Sequence, residues 1–178
     1  MSAHPGHKAE TIDREISRVA SEIATRHAGT QGLAIAAIAD GGIAFSRLLA
    51  ERIGATLGRE IPCGNVDILF HRDDLSLRPI AKINIPTDLP YAVEDRTIVL
   101  VDDVLDSGRT ARAAINEIFD QGRPAAIEFA VVVDRCSPRL PIQARYACFR
   151  EAVAPGTKID VRLDTSAHAI HYIVMQNA

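Results

Sequence analysis

The chain has 178 residues and a mass of 19.3 kDa, is 47% hydrophobic and 24% charged, and carries a net charge of -3 with a sequence pI near 6.1. That is one domain's length, enough to bury an apolar core without disulfides or structural metal. No apolar run approaches the ~20 residues that cross a bilayer, the first eight residues hold no apolar leader segment, and the slight acidity argues against a surface built throughout for nucleic acid. Cys63, Cys136 and Cys148 are odd in number and lack a C-x-x-C spacing. A disulfide framework or zinc site is not expected, and the cytoplasm is the expected compartment.

Residues 1–10 read as a flexible tail holding His4 and His7, and residues 11–178 as one domain. Ile12, Ile16, Val19, Ala20 and Ile23 recur at helical spacing over about 11–27, with Gly29 as the stop. Leu33 to Ala39 is a continuous apolar run, short enough for a strand buried on both faces, and Gly41-Gly42 breaks it. A helix with Ile43, Leu48, Leu49, Ile53 and Leu57 on one side follows and ends at Gly58. Val66, Ile68 and Phe70 alternate with other residues and predict a strand. Periodicity then disappears from His71 to Asp95, a stretch punctuated by Pro79, Pro86 and Pro90; an irregular segment this long suits a functional lid, about 71–95. Thr97 to Val101 is the next buried strand, a helix spans about 109–121 and closes at Gly122, and Ile127 to Val133 is again a buried strand. Tyr146–Phe149, Ile159–Leu163 and Ile170–Val174 read as shorter strands.

Strands alternating with helices imply βαβ units, hence an α/β fold with a twisted, mostly parallel sheet flanked by helices. Ligands of such sheets bind at the carboxyl ends of the strands. Ala39–Gly42, Asp102–Thr110 and Asp134–Arg135 all fall at strand ends and are expected to converge.

The most informative stretch is Thr97–Thr110: an apolar strand, two acids, and a small-residue loop that opens a helix. A helix N-terminus offers unpaired N–H groups and the positive end of its dipole. Ser107 and Thr110 add hydroxyls, and Gly108 lets backbone approach an anion closely, so residues 106–110 suit a phosphate monoester. Asp102 and Asp103 would repel that phosphate on contact; they suit neutral hydroxyls, or water on a magnesium ion. A phosphate beside a vicinal diol describes a ribose 5-phosphate.

Val99–Thr110 resembles the phosphoribosyl-pyrophosphate (PRPP) motif of type I phosphoribosyltransferases. Leu48–Ile53, His71–Leu75, Gly122–Pro124, Val133–Arg135 and Leu140–Ile142 extend the likeness in matching order. Together they resemble the bifunctional pyrimidine operon attenuator/uracil phosphoribosyltransferase (PyrR) family over about residues 10–175. The resemblance implies the type I fold with a small hood, about 134–165, and a homodimer or higher homo-oligomer. It implies that uracil and PRPP give uridine 5′-monophosphate (UMP) and pyrophosphate with Mg²⁺. In that scheme Asp102 and Asp103 hold the ribose hydroxyls and magnesium-bound water, and Asp106, Ser107, Gly108, Arg109 and Thr110 wrap the 5-phosphate. The loop of Asp40, Gly41 and Gly42 meets the pyrophosphate through its backbone. Arg72, with Arg78 or Lys82, reaches the same group from the lid, and Arg135 and the backbone near Ile159 frame the base.

Two features depart from that family. Ala39-Asp40-Gly41-Gly42 replaces an Arg-rich loop, and Asp106 stands where an aromatic residue is common. Both resemble 6-oxopurine phosphoribosyltransferases, in which the Asp at this position serves as general base, so a purine base is the alternative substrate. The family also implies binding of a messenger RNA leader, and an attenuator with vestigial catalysis is a further alternative. Arg14, Arg18 and Arg26 on the first helix are the candidate contacts, yet Glu15 and Glu22 interleave with them. Ser137, Pro138 and Gln143 stand where basic residues are usual, and an ordinary solvated helix face is the competing reading. His168 and His171, three apart on an expected strand, point to opposite faces and do not make a metal pair. Asp73-Asp74 is read as solvated or arginine-paired, and Cys136 as a small packed thiol.

Overall fold

The computed structural model describes residues 3–4, 7–69, 86–154, 156–164 and 172–176. In chain order the elements are β1 (Ala3–His4), α1 (Ala9–Arg26), β2 (Leu33–Ile38), α2 (Gly42–Leu57), β3 (Cys63–Val66), β4 (Thr97–Leu105), α3 (Arg109–Gln121), β5 (Ala126–Asp134), β6 (Tyr146–Arg150), β7 (Lys158–Arg162) and β8 (Tyr172–Gln176). Five strands pair in parallel in the order β3-β2-β4-β5-β6, as the sequence predicts for a βαβ chain.

The continuous apolar runs are explained by burial on both faces. Val99, Val101, Ala130 and Val132 pack under α1 and α2 with Ile16, Ile23, Leu49 and Ile53. Their neighbours Ile98, Leu100, Phe129 and Val131 pack on the other face with Ala111, Ala114 and Ile118 of α3. Alternation along each strand thus feeds two cores rather than one core and solvent. None of the helices among the described residues is long and apolar enough to cross a membrane.

The chain steps from β2 to β3 on one side, then returns to β4 on the other side of β2 and continues outward through β5 and β6. The reversal leaves a crevice where the loops after β2 and β4 part, the place where ligands enter such sheets.

Four boundaries differ from the sequence expectation. The third strand is Cys63–Val66, not the alternating stretch from Val66, because parallel pairing with Ile35–Ile38 selects it. The strand expected to end at Val101 runs on through both acids to Leu105, in register with β5 as far as Leu105↔Asp134 except at Asp103. Tyr146–Arg150 lies in the parallel sheet rather than in the hood. The second, antiparallel sheet is β1-β8-β7, so residues beyond 165 and residues 3–4 build it. Accordingly the N-terminal segment is not a free tail where it is described: Ala3–His4 is a strand, His7 stacks on Phe149, and α1 starts at Ala9.

Candidate active site

Asp102 and Asp103 end the apolar part of β4 at the crevice. Asp102 is buried, and its Oδ1 accepts the Asp103 N–H at 2.9 Å; Asp103, half-buried, accepts the Val104 N–H at 2.7 Å. Burial, and next the charge of Asp103, hold the Asp102 carboxyl well above the ordinary carboxylate range. Two acids placed so are relieved by hydroxyl donors or a hard cation, and an all-oxygen donor set of this kind fits Mg²⁺.

The loop after β2 closes against these acids. A Cβ on Gly41 would fall 2.6 Å from Asp103 Cγ, and one on Gly42 would fall 2.3 Å from the Val101 carbonyl oxygen. Only glycine lets the loop after β2 come this close to β4. Asp40 is exposed, so the loop presents backbone, not that carboxylate, to its neighbour in β4.

Beyond Asp103 the chain turns into α3. Gly108 has φ +86°, the left-handed region that glycine occupies without strain, and its carbonyl accepts the Arg112 N–H at 2.9 Å. The turn is braced from outside: Arg139 and Leu140 N–H groups both donate to the Ser107 carbonyl, at 2.9 and 3.2 Å. A recess of about 110 Å³ lies between Asp102 and the helix start, lined by Asp102, Asp106, Ser107, Gly108 and Thr110 among others. Donors at a helix N-terminus facing such a recess are the arrangement that suits an anion.

The recess shares Val104, Asp106 and Ser107 with a larger cleft of about 820 Å³. Its other walls are Arg109, Arg135, Ser137, Arg139, Val153 and the run 156–159. Arg135 follows β5, its N–H bonded to the Leu105 carbonyl at 3.0 Å. Its Nε is buried without a hydrogen-bond partner, 3.4 Å from Asp106 Oδ1. Buried Asp134 steadies that corner, taking Arg150 Nη1 at 2.6 Å and the Cys136 N–H at 2.9 Å.

Asp102, Asp106, Ser107, Gly108 and Thr110 line the recess, Asp106, Ser107, Arg109, Arg135 and Ile159 line the adjoining cleft, and Gly41 and Gly42 pack against Asp103 and Val101 of β4, with Asp40 exposed beside them. Arg72, Arg78, Lys82, Asp73-Asp74, His168 and His171 lie outside the described residues. Sequence reasoning did not single out Lys158, Thr157 or Arg139 as cleft residues. They come from two segments apart from the 97–110 stretch, and no local motif marks them.

Arg14, Arg18 and Arg26 stand apart from the crevice, on the exposed side of α1. Arg18 bonds Glu15 at 2.7 Å, Glu22 at 3.3 Å and the Ala147 carbonyl at 2.7 Å, while Arg26 bonds Glu128 at 2.9 Å. Only Arg14 is loosely held, 3.8 Å from Glu15.

An acid pair, a helix start beside a small recess and a cleft at the switch point of a parallel sheet are the parts that a phosphoribosyltransferase needs. The phosphoribosyl transferase domain model matches residues 7–164. A protein named bifunctional protein PyrR from Geobacter sp. (strain M21) is 42% identical over 139 residues, 76% of each chain. Its namesake from Listeria monocytogenes serovar 1/2a is 38% identical over 168 residues, covering 92% of this chain and 91% of that one. The chain belongs to the phosphoribosyl transferase domain family and, within it, to the PyrR group. Among solved structures, a hypoxanthine phosphoribosyltransferase of Trypanosoma cruzi superposes with a TM-score of 0.71, covering 96% of this chain and 94% of that one at 18% identity. A hypoxanthine-guanine phosphoribosyltransferase from Bacillus anthracis gives 0.70 over 98% and 99% at 16% identity. These two likenesses establish the type I fold.

Proposed function

We propose that the chain transfers the 5-phosphoribosyl group of PRPP to uracil, forming UMP and pyrophosphate, and that it works with Mg²⁺ as a homo-oligomer in the cytoplasm. The observation that carries the transfer is the division of one crevice into an acid pair, an anion recess and a base-sized cleft. Uracil is favoured over a purine by 38–42% identity to PyrR proteins, against 16–18% to purine enzymes of the same fold.

In this reading the ribose 2- and 3-hydroxyls donate to the carboxylates of Asp102 and Asp103. Backbone N–H groups in the first turn of α3, with the hydroxyls of Ser107 and Thr110, hold the 5-phosphate. The leaving pyrophosphate lies along the backbone of 40–42, whose glycines let that loop pack against β4. Asp102 and Asp103 would hold Mg²⁺, which would supply charge neutralisation for the leaving group. The base sits between Asp106 with Arg135 and the 156–159 wall. Asp106, largely exposed in that cleft, is assigned to take the proton that the attacking ring nitrogen loses. Binding energy spent on the phosphate and the diol fixes C1 in line between base and pyrophosphate, and no covalent enzyme intermediate is needed.

Pyrophosphate release measured with PRPP, Mg²⁺ and a panel of uracil, orotate, hypoxanthine, guanine and xanthine tests the assignment. Uracil is expected to be best. Faster turnover of hypoxanthine or guanine would overturn it and make Asp106 a purine-site base. We propose in addition that any regulatory contact with an mRNA leader runs through α1 and is weak, because Arg18 and Arg26 already face acids.

A further inference from the structure

The two residues of β1 stand on particular rungs of the hood sheet. Ala3 pairs with Gln176, which pairs with Lys158; His4 pairs with Met175, which pairs with Ile159. Lys158 and Ile159 are the two residues of β7 that line the base-sized cleft. The short N-terminal strand thus backs the very part of the hood that faces the base.

The same segment holds the other approach to that wall. His7 stacks on Phe149, ring centroids 3.7 Å apart and planes 11° from parallel, and its Nε2 lies 2.5 Å from Glu151 Oε1. Glu151 begins the connection that supplies Val153, Gly156 and Thr157 to the cleft, and its own N–H bonds the Asp134 carbonyl beside Arg135 at 2.9 Å. Just beyond His7, the Lys8 carbonyl caps α1, whose Ile12 and Ile16 are fully buried in the main core. One short segment is therefore tied at its far end to the hood, in its middle to the base wall, and at its near end to the rigid body.

We infer that Ala3–His4 and His7 together form a strap that sets the hood over the base, with His7 as a positioning residue for base binding. None of its described residues is among those lining the phosphate recess, so it is expected to act on one substrate. Displacing the 156–159 wall loosens the base while PRPP keeps its contacts. Misplacement by about an ångström costs up to about 10²-fold in such sites.

The inference rests on the phosphoribosyl-transfer reading, and its test is run with whichever base the panel selects. Three variants are compared with the full chain: deletion of residues 1–7, His7→Ala, and His7→Phe, which keeps a stacking ring without the Glu151 bond. The deletion is expected to raise KM for the base roughly tenfold, with kcat at saturating base and KM for PRPP held within about twofold. His7→Ala should move the same way by less, and His7→Phe should recover part of that loss. Amide hydrogen exchange, which needs no turnover, should quicken at 158–162 in the deletion and stay unchanged at 97–105. An unchanged base KM, or equal rises in both KM values with faster exchange throughout the parallel sheet, would overturn the strap.

Discussion

Asp102 and Asp103 are adjacent in sequence but not in environment. The first is buried and held toward its neutral form, the second is half-buried with Gly41 pressed against its carboxylate. Asp103 is therefore the better-placed charged acceptor for a ribose hydroxyl. Asp103→Asn is expected to lower kcat/KM for PRPP by about 1.5–3 kcal/mol, roughly ten- to hundredfold, the scale of a hydrogen bond to a charged group. Thr110→Ala should lose less, since backbone donors remain at the helix start. Steady-state kinetics on both variants check the ordering, and full activity in both would remove the phosphate-and-diol assignment. Gly42→Ala tests the loop contact: its methyl would meet the Val101 carbonyl in the middle of the sheet, where backbone cannot give way. A destabilisation of about 1–3 kcal/mol is expected by denaturant titration. The thiols differ as plainly. Burial pushes Cys148 up to about 12, although Arg18 pulls the other way, while Cys136 is exposed at the cleft corner. Mass spectrometry after iodoacetamide at pH 8 should find Cys136 alkylated well before Cys148.

At the scale of elements, the lower end of the sheet is fastened by one carboxylate. Glu128 on β5 takes hydrogen bonds from Tyr146 of β6 at 2.5 Å, from the His27 ring after α1 at 2.9 Å and from Arg26 at 2.9 Å. Burial works to raise its pKa, but the bonds from Tyr146, His27 and Arg26 outweigh it and the net shift is downward. A carboxyl held lower in the folded chain adds stability that is complete above its ordinary value of 4.5 and fades as pH falls through the folded one. Glu128→Gln should therefore lower the melting temperature at pH 7, and its deficit should shrink below about pH 4.5. A deficit that stayed constant with pH would show that shape rather than charge holds this knot. The strands it fastens also show what the sequence can reveal. Runs such as Leu33–Ile38 and Ala126–Asp134 are legible because a strand buried on both faces must be apolar throughout. Cys63–Val66, with Gly64 and Asn65 inside it, carries no such pattern and is a strand because β2 lies beside it. The two residues of β1 have no periodicity to read, and the long-range ladder to β8 makes them a strand.

Across the whole molecule, the part of the site that lies in continuous sequence was legible from its residues, whereas Thr157 and Lys158, brought in from a distance, were not. Asp102 to Thr110 carries acids, glycine and hydroxyls in one strand–loop–helix unit, so spacing alone suggests what it binds. Lys158 and Thr157 reach the same cleft from the hood, and only the turn of the chain after β6 makes them neighbours of Arg135. The proposed RNA contact belongs to this scale as well, because it depends on the balance of charge over a surface. Arg18 and Arg26 are committed to Glu15, Glu22 and Glu128, which leaves Arg14 the most available of the three. If two copies assemble with their first helices on one face, each would offer one loosely held arginine. Two phosphate contacts of this kind give a log–log salt dependence near about -1.4 on single-stranded RNA. Filter binding of the cell's pyrimidine-operon leader RNA across a salt series, with and without UMP, measures that slope directly. Binding should be weak, and Arg14→Glu should abolish it with the melting temperature unchanged. Arg18→Glu should reduce stability as well, since that side chain also ties α1 to the Ala147 carbonyl. A steep slope with tight, UMP-enhanced binding would mean that basic groups elsewhere on the assembled surface carry the regulation.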